Sequence, residues 1–146
     1  MKILFVCPSD SIHSVRWINQ IKGQGWQVFL FPSHDEGTVH IEFRDAKILV
    51  PGWLIVKNIK RPWIAALTNF LYRMYRKHQE SLSPKYYVKR LARQIRRIQP
   101  DVIHSLETQG AGYLVAEVKA GFGGYFPKWW HTNWGSDLYL FGRLPE

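Results

Sequence analysis

The run Lys2-Ile3-Leu4-Phe5-Val6-Cys7 starts at the second residue and has no polar position after its lysine. A strand that is apolar throughout has two faces to bury, so it belongs inside a parallel sheet covered on both sides rather than in a one-faced antiparallel sheet. The next segment supplies cover. Pro8 to His13 is a polar loop, Ser14 can cap a helix, and Val15, Ile18 and Ile21 share one helical face that Trp17 widens, until Gly23 and Gly25 end it. Trp26 to Phe31 is a second apolar run, stopped by Pro32. Together these form a βαβ unit, whose crossover is right-handed in nearly all cases.

The alternation continues. Ser33 to Arg44 is polar and loop-like, with some strand character at Val39 to Phe43, and Lys47 to Val50 is a short strand closed by Pro51-Gly52. From Pro62 the apolar period becomes helical: Trp63, Leu67, Phe70, Leu71 and Met74 form a stripe, with Arg73, Arg76 and Lys77 largely outside it. After a break at Ser81 to Pro84, a second helix turns Val88, Leu91, Ala92, Ile95 and Ile98 inward and Lys89, Arg90, Arg93, Arg96 and Arg97 outward. Pro100-Asp101 ends it and opens the strand Val102-Ile103-His104. Gln109 to Ala120 is helical with Leu114, Val115 and Val118 inward, Lys128 to Trp134 is the last strand, and Gly135-Ser136-Asp137 opens a further turn or helix. This order predicts an α/β fold: one doubly wound, mainly parallel Rossmann-like sheet flanked by helices, spanning residues 1–146 as a single domain.

Charge divides the chain where hydropathy does not. Residues 57–97 hold twelve Lys and Arg against one Glu, whereas residues 1–56 are balanced at five against five. Such a basic helical segment is by default a solvated face; combined with Trp63, Tyr72, Tyr75, Tyr86 and Tyr87 it also suits an anionic membrane surface. Phosphate neutralisation with base stacking is a third use, but no nucleic-acid module is recognisable, and no nucleic acid is expected as partner. Cys7 is the sole cysteine, which excludes an internal disulfide and points to a reducing, cytoplasmic setting. No apolar run approaches the ~18 residues of a membrane span, so any membrane contact is peripheral, at the inner face of the plasma membrane.

In open α/β sheets ligands bind outside the carboxyl ends of the strands, where strand order reverses. With strand order 3-2-1-4-5, that crevice lies between the first strand and the strand at 102–104. Three loops then converge: the one carrying Asp10, His13 and Arg16, the one carrying Glu107, Thr108 and Gly110, and the turn ending in Asp137. The first loop, Pro8-Ser9-Asp10-Ser11-Ile12-His13, lacks the glycines of a dinucleotide fingerprint. No Walker loop, no Gly-x-Ser-x-Gly elbow and no zinc or iron-sulfur ligand set occurs.

His13-x-x-Arg16-Trp17 with Gly25-Trp26-x-Val28, then Ile98-x-Pro100-Asp101-Val102-Ile103-His104, then Trp134-Gly135-Ser136-Asp137-Leu138, resemble the family 4 glycosyltransferases over nearly the whole chain. The resemblance implies the N-terminal, acceptor-side domain of a GT-B fold, in which two Rossmann-like domains face each other across a cleft. It implies transfer of a hexose from a nucleotide-diphosphate sugar, with retention of configuration, to a glycan or lipid-linked acceptor in cell-surface polysaccharide assembly. No cofactor or obligatory metal is implied. The donor would lie mainly on a C-terminal domain that this chain does not include, so the chain alone is expected to be inactive. The competing reading is a free-standing Rossmann-like module that uses its basic surface to bind a membrane or nucleic acid.

The candidate site residues each have a plainer alternative. His13 and Arg16 lie one helical turn apart and could meet a donor phosphate, or Arg16 could pair with Asp10. His104, at the end of its strand, could orient a loop or contact a sugar, or be a satisfied, partly buried histidine. Glu107 and Thr108 suit an acceptor hydroxyl, with Gly110 and Gly112 allowing close backbone approach, and His131 alternates with Trp130 and Thr132 so that one face looks into the cleft. Asp137 is an acceptor ligand, a helix cap, or both. Lys89, Arg90, Arg93, Arg96 and Arg97 form the candidate anionic-surface contact. No catalytic residue is identified.

Overall fold

Both faces of the first strand, β1 (Lys2–Cys7), are buried, as its sequence requires: Ile3, Leu4, Phe5, Val6 and Cys7 are each at most 4% exposed. The computed structural model describes residues 1–34, 39, 40, 42, 43, 45–49, 67, 70, 71, 74, 75, 77, 78 and 85–135. After β1 come α1 (Ile12–Gln20), β2 (Gln27–Pro32), β3 (Lys47–Ile48), α2 (Tyr86–Ile98), β4 (Val102–Leu106), a π-helical turn (Thr108–Gly112), α3 (Tyr113–Ala120) and β5 (Lys128–Thr132). The strands form one all-parallel sheet in the order β3-β2-β1-β4-β5, a Rossmann-like α/β arrangement of the kind found in half of a GT-B fold.

Alternation along β1 splits the core into two layers. Leu4 and Val6 face Leu91, Ile95 and Ile98 of α2 and Val115 and Val118 of α3. Ile3, Phe5 and Cys7 face Val15 and Ile18 of α1. The start of β1 is tied to the end of α2: the Lys2 backbone N–H donates to Asp101 Oδ2 at 2.7 Å, and its ammonium donates to the Ile98 carbonyl at 3.0 Å. Gln99, in the left-handed conformation at φ 50°, stops α2 just before Pro100.

Several local expectations need correction. The cap of α1 is Ser11, whose hydroxyl accepts from His13 N–H, while Ser14 is buried inside the helix. Trp17 does not widen the buried face. It is 42% exposed, with its ring edge-on to His104 of β4. β4 runs two residues past His104, and the helix expected from Gln109 begins instead as a π-helical turn at Thr108. Leu67, Phe70, Leu71 and Met74 are helical as their spacing predicts and each at least half exposed, while Trp63, Arg73 and Arg76 lie outside the described residues.

The arginines of α2 also divide. Arg90 donates to the Leu49 carbonyl at 2.8 Å and lies over the Phe31 ring; Arg96 donates to the Phe122 carbonyl at 2.8 Å and lies over that residue's ring. Both stitch α2 to neighbouring segments, Arg90 half-buried and Arg96 from the exposed side that the helical pattern predicts. Lys89, Arg93 and Arg97 are exposed at i, i+4 and i+8, and Arg96 is exposed beside them.

Candidate functional site

Strand order reverses between β1 and β4, so the crevice opens at the carboxyl ends of those strands. The residue that shapes it is Glu107, first after β4. Its backbone sits at φ 77° and ψ 148°, a region that ordinarily only glycine occupies. Three sets of hydrogen bonds hold it there. Its N–H donates to the Thr132 carbonyl at 2.9 Å, its carbonyl accepts from Gly112 N–H at 3.0 Å, and its Oε1 accepts from Gly110 N–H at 2.8 Å and Ala111 N–H at 2.7 Å. The carboxylate thus occupies the amide-rich start of the π-helical turn and α3, where the helix dipole favours negative charge. A β-carbon on Gly110 would meet the Glu107 carboxylate and the His34 ring, so one of these side chains would have to shift.

His131 stands beside this turn. β5 pairs in register with β4, setting His131 opposite Ser105. One imidazole nitrogen, Nδ1, pairs with Ser105 Oγ at 2.9 Å, and the other, Nε2, pairs with Thr108 Oγ1 at 3.1 Å. Ser105 Oγ also accepts from Trp129 Nε1–H at 2.9 Å. Whichever nitrogen carries the proton, each has a hydroxyl partner, so the ring is held in one orientation while remaining exposed. A β-carbon on Gly112 would come within 3.0 Å of this ring.

Glu107, Thr108 and His131 therefore come together, and the other expected residues do not join them. His104 lies inside β4 on the opposite face, with Nε2 paired to Thr132 Oγ1 at 2.9 Å and rings of Phe5, Trp17 and Trp130 around it. Its position short of the strand end makes it a half-buried, satisfied histidine. His13 is exposed on α1, with its ring 5.7 Å from that of Trp134, and Arg16 is exposed without an ion pair among the described residues. Asp137 lies outside the described residues.

Two residues that the sequence reading did not single out belong to the cluster. Ser105 orients His131, and His34 lies against Gly110, with Nδ1 4.0 Å from Glu107 Oε1 and paired to Ser33 Oγ at 3.1 Å. The available signal was positional: Ser33-His34 are the first polar residues after β2, and so fall at the same carboxyl edge.

A family model for glycosyl transferase 4-like domains matches residues 2–146. The chain belongs to that family. No curated protein and no solved structure matches it. A glycosyltransferase domain of this fold has its polar cluster where sheet topology places ligands. A second concavity of about 710 Å³, bordered by Met1, Arg96, Asp101, Phe122 and Lys128, lies at the opposite, amino end of the strands. Of its two bordering cations, Arg96 and Lys128, Arg96 is already committed to the Phe122 carbonyl. Cys7 offers no nucleophile, because burial pushes its thiol up to about 12. Among the described residues, no three of His, Cys, Asp and Glu converge as a metal site would need.

His104 supplies a pH test of the packing. Burial, followed by the nearby His131, lowers its pKa below the ordinary 6.5. The unfolded chain therefore takes up this proton first, so the stabilisation is complete above pH 6.5 and is lost as the pH falls through the lower folded value. Urea unfolding from about pH 7.5 down to about pH 5 should show a loss of stability that is shallower in His104→Gln. Identical pH slopes in the two proteins would contradict this assignment.

Proposed function

We propose that this domain is the acceptor-side half of a retaining GT-B glycosyltransferase that moves a hexose from a nucleotide-diphosphate sugar to a glycan or lipid-linked acceptor. The observation that carries the reading is the cluster of Thr108, His131 and Glu107 at the switch-point edge of a domain belonging to this family. A fixed imidazole, hydroxyls and a carboxylate match sugar hydroxyls, each of which both donates and accepts. Transfer breaks the bond between the anomeric carbon and the diphosphate and joins that carbon to the acceptor oxygen, releasing the nucleotide diphosphate and the hydroxyl proton. The part assigned to this domain is to hold the acceptor hydroxyl. The donor nucleotide is assigned to a second Rossmann-like domain across the edge, with His13 and Arg16 near its phosphates and Asp137 as a further acceptor ligand, and with no metal or other cofactor required.

In the complete enzyme, His131→Ala should lower transfer at least about tenfold, the scale of a well-placed hydrogen bond to a polar substrate. Thermal stability should change little, since the ring is exposed. Nuclear magnetic resonance of the product should show the donor's anomeric configuration. Inversion, or a loss of transfer that tracks a loss of folding, would refute the assignment. Failure to transfer from any nucleotide sugar would favour the non-enzymatic module.

A second surface favours a lipid-linked acceptor and a location at the cytoplasmic face of the membrane. Leu67, Phe70, Leu71 and Met74 are helical and exposed at i, i+3, i+4 and i+7, and separately, on α2, Arg93 and Arg97 are exposed cations complementary to anionic lipid. Among the described residues no helix is long and apolar enough to cross a membrane. Vesicles containing anionic lipid should bind the protein in a salt-sensitive manner. Arg93→Gln with Arg97→Gln, or Leu67→Ser with Phe70→Ser, should each weaken binding. Undiminished binding in both double variants would remove the membrane from the proposal.

A further inference from the structure

Four side chains beside the crevice hydrogen-bond in series across β5, β4 and the π-helical turn. Trp129 Nε1–H donates to Ser105 Oγ at 2.9 Å, Ser105 Oγ pairs with His131 Nδ1 at 2.9 Å, and His131 Nε2 pairs with Thr108 Oγ1 at 3.1 Å. Strand register makes the series possible. Ser105 and His131 are partners in the parallel ladder, and Trp129 stands two residues before His131, on the same face of β5. These distances alone leave the ring two neutral forms, with the proton on either nitrogen.

The first link has a fixed direction. An indole Nε1–H can only donate, so Ser105 Oγ accepts there and one of its lone pairs is filled. What remains to be satisfied is the single hydroxyl proton of Ser105. The serine is 0% exposed, and among the described residues its side chain hydrogen-bonds with Trp129 and His131 alone, so the acceptor within reach of that proton is His131 Nδ1. The opposite arrangement, with Nδ1 carrying the ring proton and donating to Ser105, would leave a buried O–H with nothing to bond, which native interiors avoid. Nδ1 therefore accepts, the neutral ring carries its proton on Nε2, and Nε2–H donates to Thr108 Oγ1.

We infer that Ser105 is a positioning residue that holds His131 as its Nε2–H tautomer, so that the ring presents a proton rather than a lone pair at the switch-point edge. A ligand oxygen that takes the place of Thr108 at Nε2 then meets a hydrogen-bond donor. The consequence for transfer rests on the transferase reading. Under it, His131 steadies an oxygen of the acceptor by donating to it and is not the base that removes the acceptor's hydroxyl proton.

The test is ¹H–¹⁵N correlation spectroscopy of the imidazole rings in the ¹⁵N-labelled chain at about pH 8, where an ordinary histidine is neutral. His131→Gln identifies the His131 signals by their loss. The wild-type ring should show a pyrrole-like, protonated Nε2 and a pyridine-like, bare Nδ1. In Ser105→Ala the two nitrogen shifts should move toward each other as both tautomers become populated, and the Trp129 indole proton should move upfield with its acceptor gone. A change of stability alone would move neither ring nitrogen. A proton on Nδ1 in the wild-type chain would overturn the inference, whatever the variants do. So would a folded Ser105→Ala chain, judged by unchanged amide signals in β1, whose His131 keeps the wild-type pattern. No nucleotide sugar enters this measurement, and the two readings fail separately. A proton on Nδ1 in a complete enzyme that transfers sugar removes the tautomer and keeps the transferase, whereas a proton on Nε2 in one that transfers from no nucleotide sugar does the reverse.

Discussion

A central strand with Ile3, Phe5 and Cys7 on one face and Leu4 and Val6 on the other is satisfied only when helices cover both sides of its sheet. Here α1 covers one side and α2 with α3 the other. Right-handed crossovers then require the chain to build outward from β1 in two directions, through β2 and β3 on one side and β4 and β5 on the other. The reversal at β1 separates the loops that leave β1 and β4, and the gap between them becomes the crevice. Strand burial and ligand position are thus two consequences of one apolar hexapeptide.

What stands at that crevice differs from the usual phosphate-binding arrangement. The start of a helix there offers free amides and the positive end of a dipole, and related folds commonly use it for a nucleotide phosphate. In this domain Glu107 takes those amides itself, at the cost of a backbone conformation suited to glycine. The amides of this edge are thereby filled, and the paired side chains of Thr108 and His131 adjoin them. Such an edge agrees with a division of labour in which one domain of a glycosyltransferase holds the acceptor and another holds the charged donor.

The strands and their order were legible because period and apolarity are written locally: β1 and most of β2 are continuous apolar runs, and β4 and β5 start from shorter β-branched or aromatic ones, Val102-Ile103 and Trp129-Trp130. The stripe Leu91, Ile95 and Ile98 located the inner face of α2 for the same reason. Glu107, Thr108 and His131 could be picked out because they sit at strand ends in an α/β pattern. What could not be read was long-range partnership. Nothing in the pattern of α2 marks Arg90 and Arg96 as the two that reach distant carbonyls. His34 lies 73 positions before Glu107 in the sequence and meets it only through the sheet. Trp17 has the spacing of a core residue, yet it is exposed and meets the edge of the His104 ring, a partner 87 positions away.

If the Glu107 carboxylate organises the edge, the amides it holds should report it through hydrogen exchange. In Glu107→Ala, exchange at Gly110 and Ala111 should accelerate at least about tenfold, while amides of β1 such as Leu4 and Val6 keep their protection. Unchanged exchange at Gly110 and Ala111, or equal acceleration across β1, would show that the carboxylate does not hold the site together.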